Sequence, residues 1–203
     1  MPQLPTTRFT LLARLAEPAN QAAWEEFVAV YEPAVYGFAR KKGLQDADAR
    51  DLCQDVLRAV ALAIERWVPD PRRGSFRAWM FRIARNMLIN FCATRKRQAR
   101  GSGDSRLQQV LAELPARESA DSALYDTEYR RQLFLWAAGQ VRGEFAGSTW
   151  QAFWQTAVEG RDTKSVSAQL GISAGAIYIA RSRVIARLRQ RIEEFERIEQ
   201  AIS

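Results

Sequence analysis

Ser75–Arg97, SFRAWMFRIARNMLINFCATRKR, carries an apolar stripe and a basic face on the same run of residues. On a helix, Phe76, Trp79, Met80, Ile83, Met87 and Phe91 recur at three- and four-residue spacing, which predicts a core-facing stripe. Arg77, Arg82 and Arg85 share the other side with Phe81, and Asn86 sits on the seam, one turn beyond Arg82 and two beyond Trp79. TRKR then follows with no counter-charge. Guanidinium groups hold phosphates, rings stack bases and an amide bonds a base edge, so the run suits a single nucleic-acid strand. The alternative is a core helix with a solvated basic face.

Working outward, 203 residues at 47% hydrophobic content allow one or two folded domains. No apolar run approaches a membrane span, and FTLLARLA near the start is short and interrupted by Arg14. The expectation is a cytoplasmic protein with no membrane insertion. Cys53 and Cys92 are too few for a zinc site and are expected to be reduced and buried. The absence of histidine removes Ser-His and Cys-His nucleophiles, His-ligated metals and the usual general base, so no enzyme, metal or cofactor is expected.

Charge is concentrated. Pro71–Gly103 holds nine Arg or Lys and no acid; Thr163–Ile192 holds six and no acid. Those blocks together hold +15 against a net charge of +7, leaving −8 on the remainder. Two cationic surfaces on an acidic remainder read as two footprints on a polyanion, with a further surface for another partner. If about eight phosphates are neutralised, DNA affinity should fall with a log–log salt slope near −7.

The flanking segments are helical. Asn20–Gly43 carries Trp24, Phe27, Val28, Tyr31, Val35 and Phe38 at core spacing, with a kink or break expected at Pro33 and a stop at Gly43-Leu44. The next helix is expected to be capped by Asp46 or Asp48 and to bury Leu52, Val56, Ala59, Val60, Ala63 and Trp67. Asp51, Gln54, Asp55 and Arg58 face the other way; Asp48, Asp51 and Asp55 read as a solvated face rather than a metal site. Pro69, Pro71 and Gly74 break the chain, and GSGDS and LPARESADS, with a short helix near Leu107–Leu114, form a linker.

Beyond the linker, Asp121–Gly143 is helical with Leu124, Leu133, Trp136, Ala137 and Val141 available for a core. Gly147-Ser148 marks a turn and cap, and Trp150, Phe153, Trp154 and Val158 line a helix that Gly160 ends. Asp162 or Thr163 caps the next, Val166 and Leu170 bury, Gly171 turns the chain, Ile172 packs back and Ser173 caps the last helix. Ile177, Val184 and Leu188 bury, leaving Tyr178, Ile179, Ser182 and Arg183 outward with Arg187 and Arg189 toward phosphates. This is a helix-turn-helix pattern, and a thymine methyl would explain an outward Ile179. An ordinary helical hairpin is the alternative.

The two halves together resemble the extracytoplasmic-function group of sigma-70 factors, the small sigma subunits of bacterial RNA polymerase. ARDLCQDVL is similar to the family's acidic-Leu-x-Gln-acidic motif, FRAWMFRIARN to its Phe-x-x-Trp-Leu-x-x-Ile-Ala-x-Asn motif, and SVSAQLGISAGAIYIARSRVIARLR to its helix-turn-helix. The resemblance implies an all-α protein: residues 1–99 a region 2-like domain, 100–120 a linker, and 121–203 a region 4-like domain. It implies that Asp51, Gln54 and Asp55 dock on the polymerase, whose largest and second-largest subunits are the expected partners. Trp79, Arg82, Arg85, Asn86, Asn90, Arg95, Lys96 and Arg97 would serve the −10 element, with Asn86 and a Thr94–Gln98 loop holding a flipped base. Ser173, Tyr178, Ile179, Ser182, Arg183 and Arg187 would serve the −35 duplex. An anti-sigma factor is a further partner that the resemblance admits. Asn90 stands where the family usually has Asp, and Tyr178-Ile179-Ala180 where it has a Lys/Arg-Ser-Arg run. The alternative is a helix-turn-helix regulator acting without polymerase, which would be a two-fold dimer on a palindromic site.

Overall fold

The computed structural model describes Leu15 and residues 21–64, 75–98 and 118–200, with side chains over 21–64, 75–95 and 119–196. The expectations for FTLLARLA (Leu15, a buried helical residue, apart), Trp67, Pro69, Pro71, Gly74 and a helix near Leu107–Leu114 lie outside these residues. Among the described residues the chain is all-α, without strands. It forms two compact units, one ending at Gln132 and the other covering Leu133–Glu196.

The first unit begins with α1, Gln21–Lys41, which is continuous through Pro33 rather than broken there. An interior proline costs about 3 kcal/mol or more. Val30, Tyr31, Ala34 and Val35 are all buried around it, each larger side chain contributing about 1.5–3 kcal/mol, so packing outweighs the lost hydrogen bond. The helix ends as the Gly43-Leu44 pair predicts. Gly43 has φ 92°, its N–H donates to Arg40 O at 3.0 Å, Leu44 N–H donates to Ala39 O at 3.2 Å, and Leu44 is buried.

Helix α2, Asp46–Ala63, starts at Gln45 without a side-chain cap. Neither Asp46 nor Asp48 caps it, because both have other partners. Asp46 accepts from Tyr36 Oη at 2.5 Å and Arg50 Nε at 3.0 Å, whereas Asp48 turns inward to Arg95. Leu52, Val56 and Val60 are buried as expected, with Ala49 and Cys53 added to the stripe.

Helix α3, Phe76–Gln98, is the quoted stretch. Its buried line is rotated from the expected one: Phe76, Met80, Phe81, Ala84, Leu88 and Cys92 are buried, whereas Trp79, Ile83, Met87 and Phe91 are half-buried. Helix α4, Glu118–Val141, explains the rotation. Its first half packs in the same unit, with Tyr125 5.5 Å from Phe81 and 5.8 Å from Phe38, and Tyr129 5.4 Å from Tyr31. Such ring pairs add about 0.5–1.5 kcal/mol each to their burial. Phe81, expected on the basic side, is therefore core. The first unit also extends past residue 121, where the second domain was expected to begin.

In the second unit, Ala137, Ala138 and Val141 of α4 meet Trp150 and Phe153 of α5, Gly147–Phe153, and Val184 and Leu188 of the last helix. Ala146 precedes α5 without a side-chain cap, so Ser148 does not cap it. A π turn, Trp154–Val158, follows, and Val158 is exposed rather than core. Helix α6, Thr163–Leu170, is capped by Asp162, whose carboxylate accepts from Ser165 N–H at 3.0 Å. Gly171 turns the chain at φ 65° and ψ 31°, and Ser173 Oγ accepts from Ala176 N–H at 3.1 Å at the start of α7, Ala174–Gln200. Val166, Ile177, Ala180 and Ala152 close a small core beneath that turn, with Leu170 and Ile172 packed on it.

Candidate nucleic-acid and partner surfaces

Asp51, Gln54 and Asp55 all stand exposed on α2, because Leu52, Cys53 and Val56 take the inward positions. Asp55 lies 4.0 Å from Arg58 in a solvent-exposed pair, a contact that contributes little to stability. Next to it a groove of about 480 Å³ runs between α2 and α3, its walls including Asp55, Leu62, Met87, Asn90, Phe91 and Thr94. Leu62 is 76% exposed, an apolar side chain that sequence reasoning missed. Its position seven residues after Asp55, off the buried stripe, was the available signal.

Along α3, Arg82, Asn86, Asn90 and Thr94 recur every fourth residue, and all are exposed. Trp79 is half-buried beside this row, its ring 5.2 Å from that of Phe76. The rest of the expected basic face is turned to carboxylates. Arg77 pairs with Asp126 at 3.0 Å, and Arg85, only 11% exposed, lies 3.4 Å from Asp121. Arg95 pairs with Asp48 and stands 5.3 Å from the Phe91 ring. Thr94–Gln98 is helix rather than loop, since TRKRQ contains neither Gly nor Pro and its long side chains favour continued helix. The Lys96 and Arg97 side chains lie outside the described residues. Arg82, Asn86 and Asn90 are thus presented together; Arg85 faces inward.

On α7, Tyr178 and Ile179 are 60% and 62% exposed, and Ser182 and Arg183 are exposed beside them. Two large apolar side chains left outward on the part of α7 before Glu193, which carries no acid, suit a duplex groove, where methyl groups and base edges are available. Arg187 does not share that freedom: its Nε and Nη2 donate to Glu144 at 2.6 and 2.8 Å. The Arg187 hydrogen bonds hold the Glu144 carboxyl below its ordinary value. Ser173 is occupied as a helix cap while remaining exposed.

Both cysteines are buried and unbridged, and burial pushes the Cys53 thiol up to about 12. Thiols so shifted are poor nucleophiles. Among the described residues, no three His, Cys, Asp or Glu side chains gather as metal ligands, and no helix is long and apolar enough to cross a membrane.

A family model described as Sigma-70 region 2 matches residues 27–98, which span α1 to α3. The RNA polymerase sigma factor CnrH of Cupriavidus metallidurans is 27% identical over 167 residues, 82% of this chain and 85% of that protein. Residues 27–98 thus match region 2 of the sigma-70 family. Two further relatives are named as extracytoplasmic-function (ECF) RNA polymerase sigma factors. SigE of Mycolicibacterium smegmatis is 25% identical over 179 residues, 88% of this chain and 63% of that protein. RpoE of Cereibacter sphaeroides is 32% identical over 80 residues, 39% of this chain and 43% of that protein. A solved structure of CnrH in complex with the cytosolic domain of CnrY matches 90% of this chain and 95% of that chain at 24% identity, with a TM-score of 0.35. The matched region holds both the exposed acidic face of α2 and the Arg82–Asn86–Asn90 row of α3.

Proposed function

We propose that this chain is a dissociable initiation subunit that brings RNA polymerase to specific promoters and helps to open them. The observation that carries the proposal is the exposure of Asp51, Gln54 and Asp55 on α2 beside the Arg82–Asn86–Asn90 row of α3. The carboxylates suit a basic protein surface, and the row suits a nucleic-acid strand. In this reading the acidic face docks on the largest subunit of the core enzyme, and the second-largest contributes to the rest of the interface. Asn86, Arg82 and Asn90 hold an unpaired −10 strand, with Trp79 alongside. Flipping one base costs a few kcal/mol, which hydrogen bonds and stacking can offset. Tyr178, Ile179, Ser182 and Arg183 read the −35 duplex from the major groove. The polymerase performs the catalysis; this chain contributes none. It acts in the cytoplasm, and an anti-sigma protein covering the same faces would silence it. A polymerase-independent regulator would have no use for the α2 face.

Reconstitution tests this reading. Core polymerase with the chain should start RNA from fragments of the host genome, and promoter opening should fall at least tenfold with Asn86→Ala while −35 duplex binding is unchanged. No initiation with the unsubstituted chain, or equal loss of both activities in Asn86→Ala, would contradict it.

A further inference from the structure

The first half of α4 places carboxylates against the cations of α1 and α3. Glu128, 1% exposed, pairs with Lys41, and Asp121, 2% exposed, accepts from Lys42 at 2.6 Å and lies 3.4 Å from Arg85. Asp126 pairs with Arg77 at 3.0 Å, and the Arg77 guanidinium lies 5.2 Å from the Tyr129 ring centre. Gly37 makes the close approach possible. A Cβ there would stand 3.1 Å from Glu128 Cδ and overlap its Oε2, so the carboxylate occupies the space that any other side chain on α1 would fill. A glycine inside a helix is unfavourable by about 1 kcal/mol relative to alanine, and the notch it leaves is where Glu128 sits.

From this arrangement we infer that residues 118–132 are a displaceable intramolecular cover: they occupy, with carboxylates, the cationic flank that a phosphate strand would otherwise take. The inference rests on the reading of α3 as a nucleic-acid helix. Both occupants offer the same chemistry to Arg77, Arg85, Lys41 and Lys42, namely anionic oxygens at ion-pairing distance, so they exclude one another. The buried Tyr125 and Tyr129 rings keep the cover seated when no strand is present. Strand capture along α3 therefore begins at the exposed Arg82–Asn86–Asn90 row and extends to Arg77 and Arg85 only as the cover lifts.

A reversible lock tests the cover in the full chain. Position 37 is close enough to Glu128 Cγ, 3.3 Å from a Cβ built there, for a Gly37→Cys/Glu128→Cys bridge. Binding of a labelled mixed-sequence 12-nucleotide single strand, followed by anisotropy, should be about tenfold weaker in the oxidised protein than after dithiothreitol. In parallel, Asp126→Asn/Glu128→Gln should bind the same strand about tenfold tighter than the unsubstituted chain, and adding Arg77→Ala/Arg85→Ala should remove that gain. Equal affinity of oxidised and reduced protein overturns the inference. Should the cysteine pair fail to fold or to bridge, unchanged affinity in Asp126→Asn/Glu128→Gln overturns it instead. No polymerase is present, so a chain that behaves as expected here yet starts no RNA with core enzyme defeats the initiation reading alone.

Discussion

Ile179→Ala offers the sharpest test of the α7 face. The side chain is 62% exposed, so its removal leaves no cavity, and the second unit should keep its stability within about 0.5 kcal/mol. Burying a whole isoleucine side chain is favourable by about 1.5–3 kcal/mol. With roughly three-fifths of it still in water, contact with a groove can gain about 0.9–1.9 kcal/mol, so truncation should weaken duplex binding about 5- to 25-fold. The assay is anisotropy titration of the full chain against a duplex selected by the reconstituted holoenzyme. It is repeated with each thymine of the upstream element replaced in turn by uracil, which lacks only the 5-methyl group. If Ile179 meets a thymine methyl, one uracil duplex should bind the unsubstituted chain and Ile179→Ala equally, closing a double-mutant cycle. A loss that persists undiminished on every uracil duplex, or no loss on the thymine duplex, refutes the reasoning.

Asp51→Lys/Asp55→Lys shifts the net charge by four units at two exposed positions. Thermal unfolding should hardly change, whereas affinity for core polymerase should fall at least a hundredfold, as measured by competition for the core enzyme. Acid should weaken the second unit through two carboxyls. Glu144 is held low by Arg187, and Asp162 by Ser165, chiefly through its backbone N–H. Both folded values lie below the unfolded ones, so their stabilisation is complete above the ordinary values of 4.5 and 3.8 and is lost as pH falls through the depressed folded values. Glu144→Gln/Asp162→Asn should flatten that acid limb in a pH series of melts. Finally, Arg77, Arg85, Arg95 and Arg187 are each paired with a carboxylate, so the free chain has about four fewer cations for phosphates than the eight assumed from sequence. Its log–log salt slope on DNA should lie near −4 rather than −7.

What the sequence disclosed and what it concealed divide by the range of the contacts involved. The Gly43-Leu44 stop, the Asp162 cap, the Gly171 turn and the Ser173 cap are settled within six residues, and all were legible. So was the exposure of Asp51, Asp55, Tyr178 and Ile179, which follows once the inward positions of one helix are filled. Phe81 and Arg85 could not be read in this way. Helical periodicity assigns one buried face, whereas Phe81 of α3 packs against both Phe38 of α1 and Tyr125, forty-four residues later. Arg187 was misread similarly, because its partner Glu144 lies forty-three residues away. A stretch without acids is acid-free only along the chain. Folding brings Asp48, Asp121 and Asp126 into the basic block, and these carboxylates, not the arginine count, decide how much positive charge reaches a phosphate backbone.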